Sequence, residues 1–395
     1  MGGTVRSRWT ILAVLFVART AMAFQFQSIA AVAPLVGDSL GASLADIGIL
    51  IGLYLAPGVA LALPGATIGQ RHGDKSTVLA GLLMMLAGEM LTTASTSWSL
   101  QIGGRLIGGT GGVLLNVLMT KMVADWFAGR EIATAMAIYI NSWPAGIAIA
   151  LMLLPAIGTT FGMAAVGLAV SVLIMVGIGL MAFVYRAPEA SHAGRIARLA
   201  ISAGTSYALV TAGLIWCLYN VGFAMVFSFG PEMLVDRGWS NAAAGSAISV
   251  VLWLAMLSVP LGGLLVDRTR RGGAILTLGC AGFAMLMLLL SRNGPLLPLI
   301  IATGIVCGLP AGAIMSLPTR VLDQRTRSIG MGVFYTVYYA GMLAAPAIGG
   351  RLAVWAGTAT AALDLGAAAL LICPFLLWPF HRFTRLSQAM VDPIG

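Results

Sequence analysis

Pro64-Gly65-Ala66-Thr67-Ile68-Gly69-Gln70-Arg71-His72-Gly73-Asp74-Lys75 follows one long apolar run, and Gly263-Leu264-Leu265-Val266-Asp267-Arg268-Thr269-Arg270-Arg271 follows another. Both stretches place small residues in the last turns of a helix and end on a short run of charge. Small residues let two helices approach closely, an acid here can cap a neighbouring helix N-terminus, and arginines bind carboxylates or helix C-termini. Each stretch therefore reads as a joint between two membrane helices, and the two together as one unit written twice. Asp125 and Asp323 close the fourth and tenth apolar runs, and Pro144 and Pro346 interrupt the fifth and eleventh. All three pairs are offset by close to half of the 395 residues, as a duplicated six-helix unit requires.

Composition names the solvent. The chain is 59% hydrophobic and only 9% charged, against roughly 45–50% and about 25% in an ordinary soluble domain. A water-facing skin needs charge and a lipid-facing one needs almost none, so the surface is built for a bilayer. Apolar runs of spanning length fall at about 9–36, 45–69, 76–95, 100–123, 132–155, 163–185, 207–230, 242–266, 273–291, 295–316, 328–350 and 357–380. The expected architecture is an all-α integral membrane protein of twelve transmembrane helices in two pseudo-symmetric six-helix bundles. The bundles are 1–185 and 207–395, joined by a cytoplasmic linker at 186–206 and followed by a short cytoplasmic tail. Arg6 and Arg8 before an apolar run, with Ala21-Met22-Ala23, imitate a cleavable leader. The run continues to Val36, a full span, and is read as helix 1.

The net charge of +9 would suggest nucleic acid in a soluble protein, but the cations sit in alternate connections. Of the 22 Lys and Arg residues, 17 fall on one side and three (Arg237, Arg292, Arg351) on the other, while Arg19 and Arg105 lie inside helices. The positive-inside bias puts both termini in the cytoplasm of a bacterial-type inner membrane. The four cysteines, each inside an apolar run and without close pairs, read as small core residues.

The two joints resemble the G-x-x-x-D-R-x-G-R-[RK] signature of the major facilitator superfamily, and with the duplication the resemblance covers essentially the whole chain. It departs at Gln70, where the first acid is expected, and at Arg270, where the second copy wants glycine. The resemblance implies cytoplasmic gating by Arg71, Gly73, Lys75 and Asp125 in one copy and by Asp267 and Arg268 in the other. With Gln70 uncharged, the first latch is expected to lean on Arg71 with Asp125. Arg105-Leu106-Ile107-Gly108-Gly109-Thr110-Gly111 looks like the superfamily's R-x-x-x-G-x-G element. Arg105, Gly109, Gly112 and Asn116 share one helix face, which is expected to look into a central cavity; a structural arginine bonded to carbonyls is the competing reading.

Arg19 is the most informative residue. It lies near the middle of helix 1, where a charge costs about 2.5–3.5 kcal/mol on insertion scales, so it needs a hydrated cavity, an acid or a bound anion. By the resemblance, helices 1, 4, 7 and 10 line the substrate cavity; they hold Arg19 and Arg105 but no Asp or Glu. An anionic ligand is therefore expected, held by a planar guanidinium; an ion pair with Glu89 is the rival. Gln27, Asn141, Tyr219, Asn220, Tyr335, Tyr338 and Tyr339 are further candidates for the lining.

Helix 5 keeps only Pro144 of the G-x-x-x-G-P-x-x-G-G element of drug-proton antiporters, which lowers a drug-exporter reading. Leu63 to Lys75 and the arginine of helix 1 look like the cyanate and nitrate/nitrite permease branch. The expected function is a permease that moves a small organic or inorganic anion by alternating access, import over efflux, with protons as a candidate coupling ion. It is expected to work as a monomer without a cofactor, a metal or nucleic acid. An exporter of amphipathic drugs or metabolites is the alternative, and a non-transporting receptor a further one. No G-x-x-x-x-G-K-[ST] or H-E-x-x-H occurs, so neither a phosphate loop nor a zinc-protease motif argues for an enzyme.

Overall fold

In the computed structural model, twelve helices among the described residues are long and apolar enough to cross a membrane. It describes residues 2–41, 44–188, 201–239, 241–292 and 296–389. The spans are helix 1 (Arg8–Ala31), helix 2 (Ile49–His72), helix 3 (Asp74–Ala94), helix 4 (Trp98–Phe127), helix 5 (Ile132–Phe161) and helix 6 (Met163–Val184). Then follow helix 7 (Ala203–Asp236), helix 8 (Ala243–Thr269), helix 9 (Gly272–Ser291), helix 10 (Leu296–Arg320), helix 11 (Arg327–Ala356) and helix 12 (Thr360–Arg385). Most of the 186–206 connection, including Glu189, His192, Arg195 and Arg198, lies outside the described residues, as does the Asn293-Gly294-Pro295 break.

Proline sets several helix breaks. Helix 1 was expected to reach residue 36 but stops at Ala31, and a separate helix, Ala33–Leu40, follows with Pro34 in its first turn. There the missing proline amide falls among donors that a helix start leaves unused. Helix 2 is interrupted by a turn before Pro57, which begins its second segment, Pro57–His72. Helix 5 is two segments, Ile132–Ile140 and Ser142–Phe161, broken before Pro144. Pro155, by contrast, is carried inside the second segment, so helix 5 runs past its expected end at 155. Ser202 opens helix 7 by accepting from the Thr205 amide at 3.1 Å.

The chain forms two compact units. The first comprises Met1–Phe127, Tyr139–Leu199 and Gln324–Thr336, and the second comprises Ala128–Ile138, Ala200–Asp323 and Val337–Gly395. Each unit thus takes in one short segment from the other sequence half: the start of helix 11 in the first, the start of helix 5 in the second.

Glycine brings backbones together in both units. In the first, a Cβ on Gly88 would stand 2.6 Å from Gly108 N and one on Gly81 2.8 Å from Gly111 O, which locks helix 3 against helix 4. In the second, a Cβ on Gly263 would meet Ala133 O at 2.6 Å. Such approaches let dispersion and carbonyl contacts replace the hydrophobic drive that lipid removes. Cys217, Cys280, Cys307 and Cys373 are free and buried, as small core residues should be.

Candidate functional site

Arg19 is 6% exposed, and its partners come from three elements of the first unit. Nε donates to Asn116 Oδ1 of helix 4 at 2.9 Å. Nη1 donates to the carbonyls of Tyr139 (3.2 Å) and Ile140 (3.0 Å) and to Ser142 Oγ (3.2 Å), all at the break in helix 5. The break explains the site. Pro144 has no amide to give the carbonyl four residues back, and that carbonyl belongs to Ile140. A guanidinium from another helix supplies the missing donor. The rings of Tyr139 and Trp143 lie 4.8 and 5.8 Å from Arg19 Cζ, adding cation–π attraction.

Every group bonded to Arg19 is neutral. Among the described residues no carboxylate pairs with it, and Glu89 instead accepts from Gln25 Nε2 at 3.1 Å. The charge of Arg19 is thus solvated by the protein without being cancelled. Nearby, Tyr335 from the start of helix 11 shares a hydrogen bond of 2.7 Å with Thr120 Oγ1.

Arg105 has a different situation. Nε donates to Leu50 O (2.9 Å), Nη1 to Gln25 O (3.0 Å) and Nη2 to Phe26 O (2.9 Å), with the Tyr54 ring 4.7 Å away. Leu50 O is free to accept because the turn in helix 2 redirects the Tyr54 amide to Ile51 O at 3.3 Å. All three nitrogens tie helices 1 and 2 to helix 4. The face of Arg105, Gly109, Gly112 and Asn116, expected to look into a cavity, is occupied instead. A Cβ on Gly109 would come within 2.8 Å of the Tyr54 carbonyl carbon, and one on Gly112 within 2.9 Å of Tyr54 Oη. Large neighbours fill the space the glycines leave, so this face is a packing surface.

The other expected lining residues are dispersed. Gln27 is half-buried and makes no hydrogen bond among the described residues, whereas Gln25, nearly opposite on the helix, is buried and bonded. Asn141 is the residue at the helix 5 break itself. In the second unit, Tyr219 Oη donates to Cys307 O at 2.8 Å and Asn220 Nδ2 to Trp216 O at 2.8 Å. Trp216 stacks on Tyr219 with centroids 5.5 Å apart and lies 6.2 Å from Tyr338, which contacts Tyr339 at 5.1 Å. These form an aromatic cluster on helices 7 and 11.

At the joints, Gly73 reverses the chain between helices 2 and 3 with φ 87°. Arg270, in the corresponding place after helix 8, adopts φ 57° without being glycine, so the turn survives the substitution. The Arg71–Asp125 latch is not formed. Arg71, in the last turn of helix 2, is exposed and unpaired among the described residues. Asp125 instead pairs with Lys121, one turn back on its own helix, at 2.9 Å and with Arg327 of helix 11 at 2.8 Å. Lys121 also pairs with Asp74. Lys75 Nζ donates to Ala182 O (2.8 Å) and Tyr185 O (3.1 Å), capping the end of helix 6.

Asp267 accepts from the amides of Ala133 (3.2 Å) and Thr134 (2.7 Å), at the start of helix 5. Its counterpart Gln70 has an amide to donate and gives it to Arg325 O at 3.3 Å. Arg268 is exposed and has no partner among the described residues. The sequence reading missed Gln25, Tyr54, Ser142, Lys121 and Arg327. Of these, only Lys121 carried a signal, four residues before an acid on one helix.

The family model of the Major Facilitator Superfamily matches residues 15–219 and 212–388. The inner membrane transport protein YajR of Escherichia coli is 31% identical over 145 residues, which are 36% of this chain and 31% of that protein. The match thus spans about a third of the curated relative's length. The E. coli fucose:proton symporter FucP superposes with a TM-score of 0.74 at 14% identity, over 96% of this chain and 99% of that one. The proton:xylose symporter XylE gives 0.77 at 11% identity, over 95% and 96%. The human organic anion transporter TETRAN gives 0.70 at 14% identity, over 94% and 99%. These structural likenesses establish the fold, and the family match establishes that the chain belongs to the Major Facilitator Superfamily.

Proposed function

We propose that this multi-pass member of the Major Facilitator Superfamily is a secondary transporter that moves a small organic or inorganic anion by alternating access. One observation carries the anion: Arg19 is buried, and every partner it has among the described residues is neutral. Neutral acceptors orient a guanidinium and leave its field intact, so a negatively charged solute gains more there than a neutral one of the same size. The structural relatives include sugar–proton symporters as well as an organic anion transporter, at identities too low to carry a substrate across. The resemblance of Leu63 to Lys75 to cyanate and nitrate/nitrite permeases puts those anions first in the trial.

The latches follow from the same reading. Asp125 holds the start of helix 11 through Arg327, and Asp267 holds the start of helix 5 through two amides. Both contacts join a segment of one sequence half to helices of the other, and releasing them is the proposed gating step. The basic bias of the connections supports a cytoplasmic location for this end and for both termini. Uptake by sealed proteoliposomes tests the function: accumulation of cyanate, nitrate or a small carboxylate supports it, and transport of neutral solutes alone contradicts the anion assignment.

A further inference from the structure

Away from Arg19, the first unit contains a cavity of about 370 Å³ among helices 1, 3, 4 and 6 and the Ala33–Leu40 helix, which brings the uncharged Val36, Ser39 and Leu40 to it. Ser28, Thr92 and Gln101 line it together with Glu89, alongside Val32 and Val166. It reaches the turn between helices 3 and 4, where Thr96 is exposed. Glu89 is only 6% exposed, on helix 3.

The surroundings of Glu89 are fixed by neutral groups. Gln25 Nε2 donates to Glu89 Oε2 at 3.1 Å and to Met85 O at 2.8 Å, while Gln25 Oε1 accepts from Tyr54 Oη at 3.1 Å. The amide cannot turn without breaking these bonds. Arg105 of helix 4 is the charged group that faces this network, and its three nitrogens are all spent on carbonyls. Tyr54 of helix 2 is the other titratable neighbour, and helix 6 brings only Met163, Val166 and Gly167 to the cavity. Among the described residues Glu89 has no ion pair, and Oε1 has no hydrogen bond. A carboxylate buried in an apolar bundle without a bonded cation is strongly disfavoured, and a proton is the smallest partner that neutralises it.

We infer that Glu89 is a proton-binding site served by this cavity, and that the proton it takes moves with the substrate. Water entering from the helix 3–4 turn delivers the proton: an Oε1–H bond forms, hydronium becomes water, and release reverses both changes. Helix 1 connects this site to the other one. The Gln25 side chain holds Glu89, the Gln25 carbonyl holds Arg105, and Arg19 lies on the same helix. The coupling half of the inference rests on the transport reading above, and the binding half stands without it.

The test compares wild type with Glu89→Gln, its folding checked by size-exclusion profile, in lipid. Infrared difference spectra between pH 4.5 and 10 need no substrate. They should show a carboxyl C=O band that titrates in wild type and is missing from the variant. Identical titrating spectra, or a band that responds to Na⁺ at fixed pH in place of pH, would overturn proton binding at Glu89. In proteoliposomes, anion-induced proton uptake should fall at least tenfold in Glu89→Gln; equal uptake would overturn the coupling. If wild type moves no anion at all, the transport reading has failed and the spectra alone decide the site.

Discussion

Arg19 Nη1 donates to the carbonyl of Ile140 at 3.0 Å, the acceptor that Pro144 leaves without a helical donor. One side chain therefore both repairs the backbone of helix 5 and holds an uncancelled positive charge in the first unit. The two roles separate by mutation. Arg19→Ala should lower stability by about 1–3 kcal/mol by orphaning buried acceptors. Pro144→Ala returns an amide to position 144 and should recover part of that loss in the double variant, without restoring anion binding. Denaturation of the single and double variants in detergent checks this; equal instability of Arg19→Ala and the double variant would refute the repair.

The joints predict opposite responses to glycine. Gly73 has φ 87° and Arg270 φ 57°. Gly73→Ala should cost about 1–3 kcal/mol because a Cβ is strained in that conformation. Arg270→Gly should stabilise by roughly 0.5–1 kcal/mol by relieving the same handedness penalty. Thermal unfolding of the two variants reads both signs.

Arg327, rather than Arg71, should matter to gating. Arg327→Ala leaves Asp125 with Lys121 alone and frees the start of helix 11. It should raise the labelling rate of a cysteine at position 124 from the cytoplasmic side and cut transport severalfold. Arg71→Ala, which breaks no ion pair among the described residues, should change neither by more than twofold. A larger effect from Arg71→Ala would return the latch to the position the sequence motif suggested.

Topology has its own check. With 17 of 22 cations on one side, a cysteine at position 195 should be inaccessible to impermeant maleimide in intact cells and react after permeabilisation. Labelling in intact cells would invert the assigned orientation.

Helix number and the break beside Pro144 were legible because length and proline act locally: twenty apolar residues span a bilayer wherever they occur, and Pro144 removes an amide whatever surrounds it. The interruption of helix 11 expected at Pro346 is not formed, Arg327–Ala356 being one unbroken helix. Arg19 was legible as a buried charge for the same reason. Its partners were not. Two of them are backbone carbonyls more than a hundred residues away, and a carbonyl has no sequence signature. Gln25 was missed for Gln27 because a membrane helix is apolar all round, so no amphipathic pattern says which side meets protein. The Arg71–Asp125 expectation failed on register: the motif supplied the right charges, but Lys121 and Arg327 lie closer to the acid.

Arg19 is proposed to attract the substrate's negative charge, and binding titrations on purified protein read that attraction without any transport step. Cyanate, nitrate, small mono- and dicarboxylates and neutral sugars would be titrated against wild type, Arg19→Lys and the Arg19→Ala/Pro144→Ala double variant, chosen because the amide at 144 returns a donor to the Ile140 carbonyl. A selective anion should bind wild type, bind Arg19→Lys more weakly by about 1–3 kcal/mol through loss of the planar fork, and show no saturable binding to the double variant. Wild-type anion affinity in the double variant, or saturable binding of a neutral sugar alone, would contradict the account.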